Sequence, residues 1–403
     1  MATSRRKVLG ILLAAIVVLT AVLLAPGKSG VRNACACGAG GEPQLEHPGW
    51  RLGPAVWYEN LTVFPVLSSQ EADTSAFGTL DEALASGEAV ITEQGAEMRR
   101  TREGTVPPNY YSGPQVNQLV LINRGKRPLI LLAGEVVSGG KQDRVIGKDR
   151  IVPIGAAPLP LDAFCVEHGR WTPGAEQFVA AQAMVYPSVR EKAAVEQDQG
   201  QVWAAVRGEG DRVGSASQTV TVESGAAEPP PAEISRSAVA GAIAGSGTQS
   251  YQKIYQSSPI GASVETFSEE LQRRFAHATS GLKGERLVGV VVAFGPEVAW
   301  SDIFASSHLF EAYWPKLLRS YVVEAMTRPR IRRAASVDEA RDFLRPATGH
   351  IEEESEPGVY RWRKQAEGRL AEIELQALEP KAFTLHWLRV LHGEGYLRPG
   401  LVE

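Results

Sequence analysis

Cysteine is scarce in this chain, with three among 403 residues at Cys35, Cys37 and Cys165. So few cannot build the disulfide framework that holds small secreted folds together. The seven histidines are scattered, and neither His-x-x-x-His nor paired Cys-x-x-Cys spacing occurs. Cys35-x-Cys37 has the wrong spacing for a zinc knuckle, so the sequence predicts no metal site and no cofactor. Basic charge is not in excess either: the formal net charge is −4 and the pI about 6.1. Without a basic field there is nothing to drive counterion release from nucleic acid, which is excluded as a partner. Wholesale disorder is excluded as well, because hydrophobic residues make up 44% and charged residues 22%, the balance of a chain that buries a core.

One long hydrophobic run is present, Val8–Leu24, directly behind Arg5, Arg6 and Lys7 and closed by Pro26-Gly27. Such a run is at the short end of what spans a bilayer and longer than most signal h-regions. It predicts an N-terminal hydrophobic helix whose partner is the lipid bilayer. Clustered Lys and Arg stay in the cytoplasm, which places the body on the non-cytoplasmic side. The protein is then either a cell-membrane protein with a single N-terminal anchor or one secreted after signal cleavage. Ser4-Arg5-Arg6-Lys7-Val8-Leu9 also resembles the twin-arginine export signal, and Ala34-Cys35-Ala36 has the small-x-small form that a signal peptidase cuts.

The length allows two compact units at roughly 150 residues per domain. Residues 1–30 read as the anchor or signal, 31–49 as a flexible spacer, and 50–207 as a β-rich domain. Residues 208–263, with Pro229-Pro230-Pro231 and few aromatics, read as a low-complexity linker or loop. Residues 264–403 read as an α+β second half, standing alone or packed on the first as one domain. The fold class is α+β: a β-rich sandwich or partly closed barrel in the first half, helices and a few further strands in the second.

Several elements have local signatures. Thr79 can cap a helix through Ser86, with Glu82 three residues later and Gly87 as the stop. Val116–Asn123 and Pro128–Leu132 flank Arg124-Gly125-Lys126-Arg127 as a predicted hairpin. Pro187–Val206 reads as helical, and the apolar spacing predicts a long helix through Ile303–Met326 with Ser301 or Asp302 as its N-cap. Its aromatics, Trp300, Phe304, Phe310, Tyr313 and Trp314, read as core. Cys165, in an apolar strand, reads as a small core residue.

The densest polar text is Gly134-Glu135, then Gly139-Gly140-Lys141-Gln142-Asp143-Arg144, and Cys165-Val166-Glu167-His168-Gly169-Arg170-Trp171. Glycines let backbone N–H groups approach a ligand. Arg144 and Arg170 can each grip a carboxylate or phosphate with two parallel hydrogen bonds. Glu135 and Glu167 supply acid–base capacity and are the candidate catalytic pair. Gly139, Gly140, Lys141, Gln142, Arg144 and Arg170 are the candidate ligand-binding set. These motifs resemble the central motifs of the uncharacterised family named for association with ADP-ribosylglycohydrolase (ARG) and rhodanese-phosphatase proteins, over about Pro54–Glu324. The resemblance implies a link to ADP-ribose or nucleotide metabolism by association only, and brings no reaction with it.

Three functions follow as expectations. The first is a tethered or exported domain binding a polar or anionic small ligand, ADP-ribose-like or nucleotide-sugar-like by family association. The second is a structural or protein-interaction module whose motif residues form internal ion pairs, with Glu135 and Glu167 answering Arg144 and Arg170 and the double glycine no more than a turn. The third is a hydrolase using paired carboxylates Glu135 and Glu167. The sequence names no protein partner.

Overall fold

The computed structural model describes residues 49–94, 115–166, 175, 177–207, 239, 254, 259–281, 284–329, 331 and 333–392. The expected N-terminal helix Val8–Leu24, the spacer and nearly all of the low-complexity stretch lie outside the described residues. Among those described, no helix is long and apolar enough to cross a membrane.

The first strands are β1 (Trp50–Leu52), β2 (Val56–Tyr58), β3 (Leu61–Ser68) and β4 (Gly78–Thr79), followed by helix α1 (Leu80–Ser86) and β5 (Ala89–Gln94). Thr79 and Glu82 form the expected capping box on α1, and Gly87 ends it in the left-handed conformation. A run of short strands follows, broken by Gly and Pro: β6 (Gln115–Asn123), β7 (Leu129–Leu131), β8 (Glu135–Ser138), β9 (Arg144–Ile146) and β10 (Arg150–Val152). β11 (Leu159–Leu161), β12 (Ala163–Cys165) and β13 (Gln177–Met184) complete it. Pro187–Val206 is helical as expected, but in three pieces: α2 (Pro187–Glu191), a π-turn (Lys192–Glu196) and α3 (Gln199–Val206). After α4 (Pro259–Thr279) come β14 (Arg286–Phe294), β15 (Glu297–Phe304), α5 (Ser307–Thr327) and α6 (Val337–Phe343). An antiparallel meander closes the described chain: β16 (His350–Glu356), β17 (Tyr360–Glu367), β18 (Leu370–Ala377) and β19 (Phe383–Leu391).

The α+β, β-rich expectation holds. One sheet runs in the order β11-β6-β5-β13-β8-β9-β12. Its two end strands are consecutive in the chain, separated only by Asp162, whose carbonyl accepts from Gly147 N–H at 2.7 Å. That corner draws the ends together, so the sheet curls into a nearly closed barrel. The large sheet, β1-β3-β14-β15-β19-β18-β17-β16 with β2 beside β3, takes strands from both halves of the chain. A small sheet, β10-β7-β4, completes the architecture.

β14 is apolar on both faces because both are covered. Val290, Val292 and Phe294 join the main core, while Val291 and Ala293 join a second core with Ala340 of α6 and Leu344 just after it. Each buried Val, Leu or Phe among them contributes roughly 1.5–3 kcal/mol relative to exposure. α5 packs on β14 of the large sheet and on β13 of the barrel, which explains why its side chains are buried nearly all round.

Two local expectations are corrected. β6 and β7 do not form a hairpin: β6 pairs with β5 and β11, β7 with β10 and β4. Asn123 turns the chain out of one sheet into the other, its Oδ1 accepting from Gly125 N–H and its amide donating to the carbonyls of Arg127, Val152 and Pro153. The long helix starts later than predicted, with Ser306 as its cap, accepting from Leu309 N–H at 3.2 Å. Ser301 and Asp302 lie in β15 instead, where alternating sides of the strand are claimed by two different environments.

Candidate functional site

Five of the six predicted ligand-binding residues, Gly139, Gly140, Lys141, Gln142 and Arg144, lie together on the β8–β9 hairpin, where Gln142 and Arg144 are buried among protein groups. Gly139-Gly140 forms its turn: Gly140 sits at φ +55°, and a Cβ there would stand 2.5 Å from the Phe178 ring. Gly140 N–H donates to the Ala175 carbonyl at 2.8 Å, and the Lys141 N–H reaches Glu93 Oε1 at 3.4 Å. Arg144 is fully buried, donating to the Gln142 carbonyl at 2.8 Å with Glu93 Oε1 4.0 Å away. Asp143, at the end of the same turn, is buried and accepts from Ser138 Oγ at 2.6 Å. Glu135 does not answer Arg144. Its Oε2 accepts from Leu132 N–H at 2.6 Å, and its Oε1 meets Lys316 Nζ of α5 at 2.5 Å. Lys316 also reaches Asp81 at 2.8 Å. Burial opposes the charge on Lys316, yet the two carboxylates raise its pKa and keep it an ammonium. Glu167 and Arg170 lie outside the described residues, and with them the Glu135–Glu167 pair and the Cys165–His168 neighbourhood. Cys165 itself is buried.

Behind this hairpin lies a buried charge chain that the sequence did not reveal. Asp149 Oδ1 accepts from Ala133 N–H at 2.7 Å, and its Oδ2 lies 2.6 Å from His386 Nδ1. His386 Nε2 lies 3.0 Å from Asp302 Oδ1. Asp302 then meets Arg190, with 2.8 Å from Nη1 to Oδ2 and 2.8 Å from Nη2 to Oδ1. Trp300 Nε1 donates to Asp302 at 2.8 Å, the Tyr321 hydroxyl donates to it as well, and Arg190 Nε donates to the Ala133 carbonyl at 2.6 Å.

The electrostatics follow from the contacts. Burial alone would drive Asp302 up, but Arg190 and His386 hold its carboxyl well below the usual carboxylate range. Burial likewise opposes the imidazolium, but Asp149 and Asp302 raise the His386 pKa above its ordinary value. Burial and the Asp302 charge keep the Tyr321 phenol protonated, as a donor. Basic and acidic side chains therefore alternate, and all four are buried. A buried network of this kind fixes geometry more than it adds net stability. It ties the Ala133-Gly134 corner of the barrel, α2 and α5 to two adjacent strands of the large sheet.

On the other face of those same strands lies a cavity of about 290 Å³. Antiparallel register lines up two cross-strand rows. One is Ser301–Arg389–Glu372–Gln365, and the other is Ile303–Trp387–Glu374–Arg363. All eight residues line the cavity, which Trp50 and the Leu344–Ala347 segment close from above. Period-two alternation makes this possible: in β18, Ala371, Ile373 and Leu375 enter the core while Glu372 and Glu374 face the cavity. Trp50 and Trp387 meet edge to face at 5.0 Å. Arg389 Nη2 is 3.4 Å from Glu372, and Arg363 donates to Gln365 at 2.6 Å. Burial raises the Glu372 pKa against the pull of Arg389, with the neighbouring Glu374 charge adding to the rise. Ser301 Oγ is buried and has no hydrogen-bond partner among the described residues. Among the described residues, none of the predicted site residues lines this cavity. Nothing local in the sequence marks which strands pair, and the rows exist only through that pairing.

Residues 49–390 match the family model described as ARG and Rhodanese-Phosphatase-superfamily-associated Protein domain. No curated protein and no solved structure matches the chain.

Proposed function

We propose that this chain, which belongs to the ARG and rhodanese-phosphatase-superfamily-associated protein domain family, binds a small polar ligand on the outer face of β15, β19, β18 and β17. The observation that carries this is the pair of cross-strand rows, which bring two guanidinium groups, two carboxylates and an indole to one cavity of about 290 Å³. That volume is at the small end of small-molecule sites. It suits one sugar ring bearing a phosphate or carboxylate rather than a whole dinucleotide. The indole offers an apolar face to the ring, the carboxylates accept from hydroxyls, and Arg363 or Arg389 takes the anionic group. An ADP-ribose-like compound then enters by its terminal ribose phosphate.

A second reading applies to the Gly139–Arg144 motif, favoured by the burial of Gln142, Asp143 and Arg144. There the polar groups serve as internal struts of the barrel. The Val8–Leu24 run supports export or tethering of the body on the non-cytoplasmic side, which cell fractionation with protease protection tests.

The ligand reading is tested on the purified chain by isothermal titration with ribose 5-phosphate, glucuronate and ADP-ribose, repeated with Arg363→Met and Glu374→Gln. Binding to one of them, weakened at least about tenfold in both variants at unchanged fold, is expected. No binding to any, or binding indifferent to both substitutions, overturns it.

A further inference from the structure

We propose that Glu191, Glu196 and His392 form a binding site for one divalent ion of zinc type. His392 lies 201 residues beyond Glu191 in the chain, which is why no ligand spacing shows in the sequence. The π-turn Lys192–Glu196 directly follows α2. In a regular α-helix two residues five apart point about 140° away from each other. The wider π-turn brings them to one side, so Glu191 and Glu196 both reach the same imidazole. Gln197 closes the turn at φ +52°, its N–H bonded to the Lys192 carbonyl. Turns of this kind concentrate at functional positions.

His392 follows β19 and is held by a reciprocal backbone clasp: its N–H donates to the Arg369 carbonyl at 2.6 Å, and Arg369 Nε donates to its carbonyl at 2.9 Å. His392 Nδ1 lies 3.1 Å from Glu191 Oε1 and 3.6 Å from Glu196 Oε1. One ligand atom from each of the three residues lies within 4.8 Å of the others. Zinc bonds of about 2.0–2.2 Å in a tetrahedron place ligand atoms about 3.3 Å apart, so the two spacings to the imidazole need little adjustment. One nitrogen and two oxygens leave a fourth position open. The imidazole favours zinc or a neighbouring transition metal over magnesium or calcium, which prefer oxygen-only sets.

A cation of the protein's own is close by: Lys192 Nζ sits 2.8 Å from Glu191 Oε1. Its side chain is partly exposed, so it can withdraw to solvent when a metal takes over the charge.

The competition makes a sharp test. Chelator-stripped full-length protein, in a Cys35→Ser, Cys37→Ser background that removes the only paired thiols, is titrated with zinc chloride by calorimetry. One equivalent is expected, with affinity falling at least about tenfold in His392→Ala and in Glu196→Gln. Lys192→Met, which removes the competing ammonium, is expected to bind more tightly than the parent. Circular dichroism checks the fold of each variant. An affinity unchanged by His392→Ala and Glu196→Gln, or no zinc bound by either the parent or Lys192→Met, overturns the site and leaves an ion-pair cluster.

Discussion

The side chain of Arg190 passes so close to Gly134 that a Cβ added there would stand 2.7 Å from Arg190 Cγ and Cδ. Gly134 also sits at φ +100°, a region that side-chain-bearing residues rarely adopt. Its N–H donates to the Ile146 carbonyl at 2.8 Å, and its carbonyl accepts from Val185 N–H at 2.9 Å, so the backbone cannot easily move aside. The glycine is there to let the arginine reach Asp302.

Gly134→Ala is therefore expected to displace Arg190 and strand the Asp302 charge. Breaking a buried pair from one side costs about 3–5 kcal/mol. Urea unfolding should show the stability in water falling by that amount, read as a lower midpoint at an unchanged slope. A loss below about 1 kcal/mol would mean that the loop relaxes and the clamp survives.

The charge chain also gives a pH signature. His386 has a folded-state pKa above the ordinary value of about 6.5. Its contribution to stability is thus complete below that ordinary value and is lost as pH rises through the raised one. Asp302 is shifted the other way, so its contribution is present above about 3.9 and is lost as pH falls through its depressed value. Stability measured from mildly acidic to alkaline pH should decline on the alkaline side in the parent. That decline should flatten in His386→Gln and shrink in Asp149→Asn, which removes one of the two carboxylates facing the ring. An identical alkaline slope in all three proteins would show that the imidazole is neutral in the fold.

Lys316 serves two carboxylates from inside α5, Glu135 at 2.5 Å and Asp81 at 2.8 Å. Lys316→Met leaves Glu135 buried without its cation and is expected to lose about 3–5 kcal/mol. Adding Glu135→Gln to it should restore part of the loss, because the buried charge is then gone. A double-mutant cycle should give a coupling above about 1 kcal/mol, and simple additivity would remove Glu135 from this role.

Signals carried by neighbouring residues were legible in the sequence, and pairings made across the chain were not. α1 carries its own stop and start signals at Thr79, Glu82 and Gly87, and all three act as written. β15 was hidden because Trp300-Ser301-Asp302 reads equally well as a cap, and only the pairing with β14 and β19 decides it. β16, with its acidic run Glu352-Glu353-Glu354, lacks apolar alternation and is a strand because β17 opposes it with Arg361, Arg363 and Lys364. The same division applies to the candidate sites. The Gly139–Arg144 motif was visible as an unusual local run, whereas Asp149, His386, Asp302 and Arg190 are four isolated residues until the sheet assembles. The cavity rows are further out of reach, since a shift of register by one residue would send every member to the opposite face.

Ser301 separates recognition from stability more cleanly than its neighbours. Arg389 and Trp387 pack as well as face the cavity, so their loss would confound the two effects. Ser301 Oγ, buried and without a hydrogen-bond partner among the described residues, contributes little to holding the fold. Removing an unsatisfied buried hydroxyl is close to neutral or mildly stabilising. Ser301→Ala is accordingly expected to keep or slightly raise the unfolding midpoint. A ligand hydroxyl or phosphate oxygen that reaches the cavity floor would pair with this group, a bond worth about 1–1.5 kcal/mol, so the variant should bind roughly tenfold more weakly. The two measurements move in opposite directions only if the hydroxyl is held for a guest. A variant that loses stability while titrating like the parent would assign Ser301 to the sheet and not to the cavity.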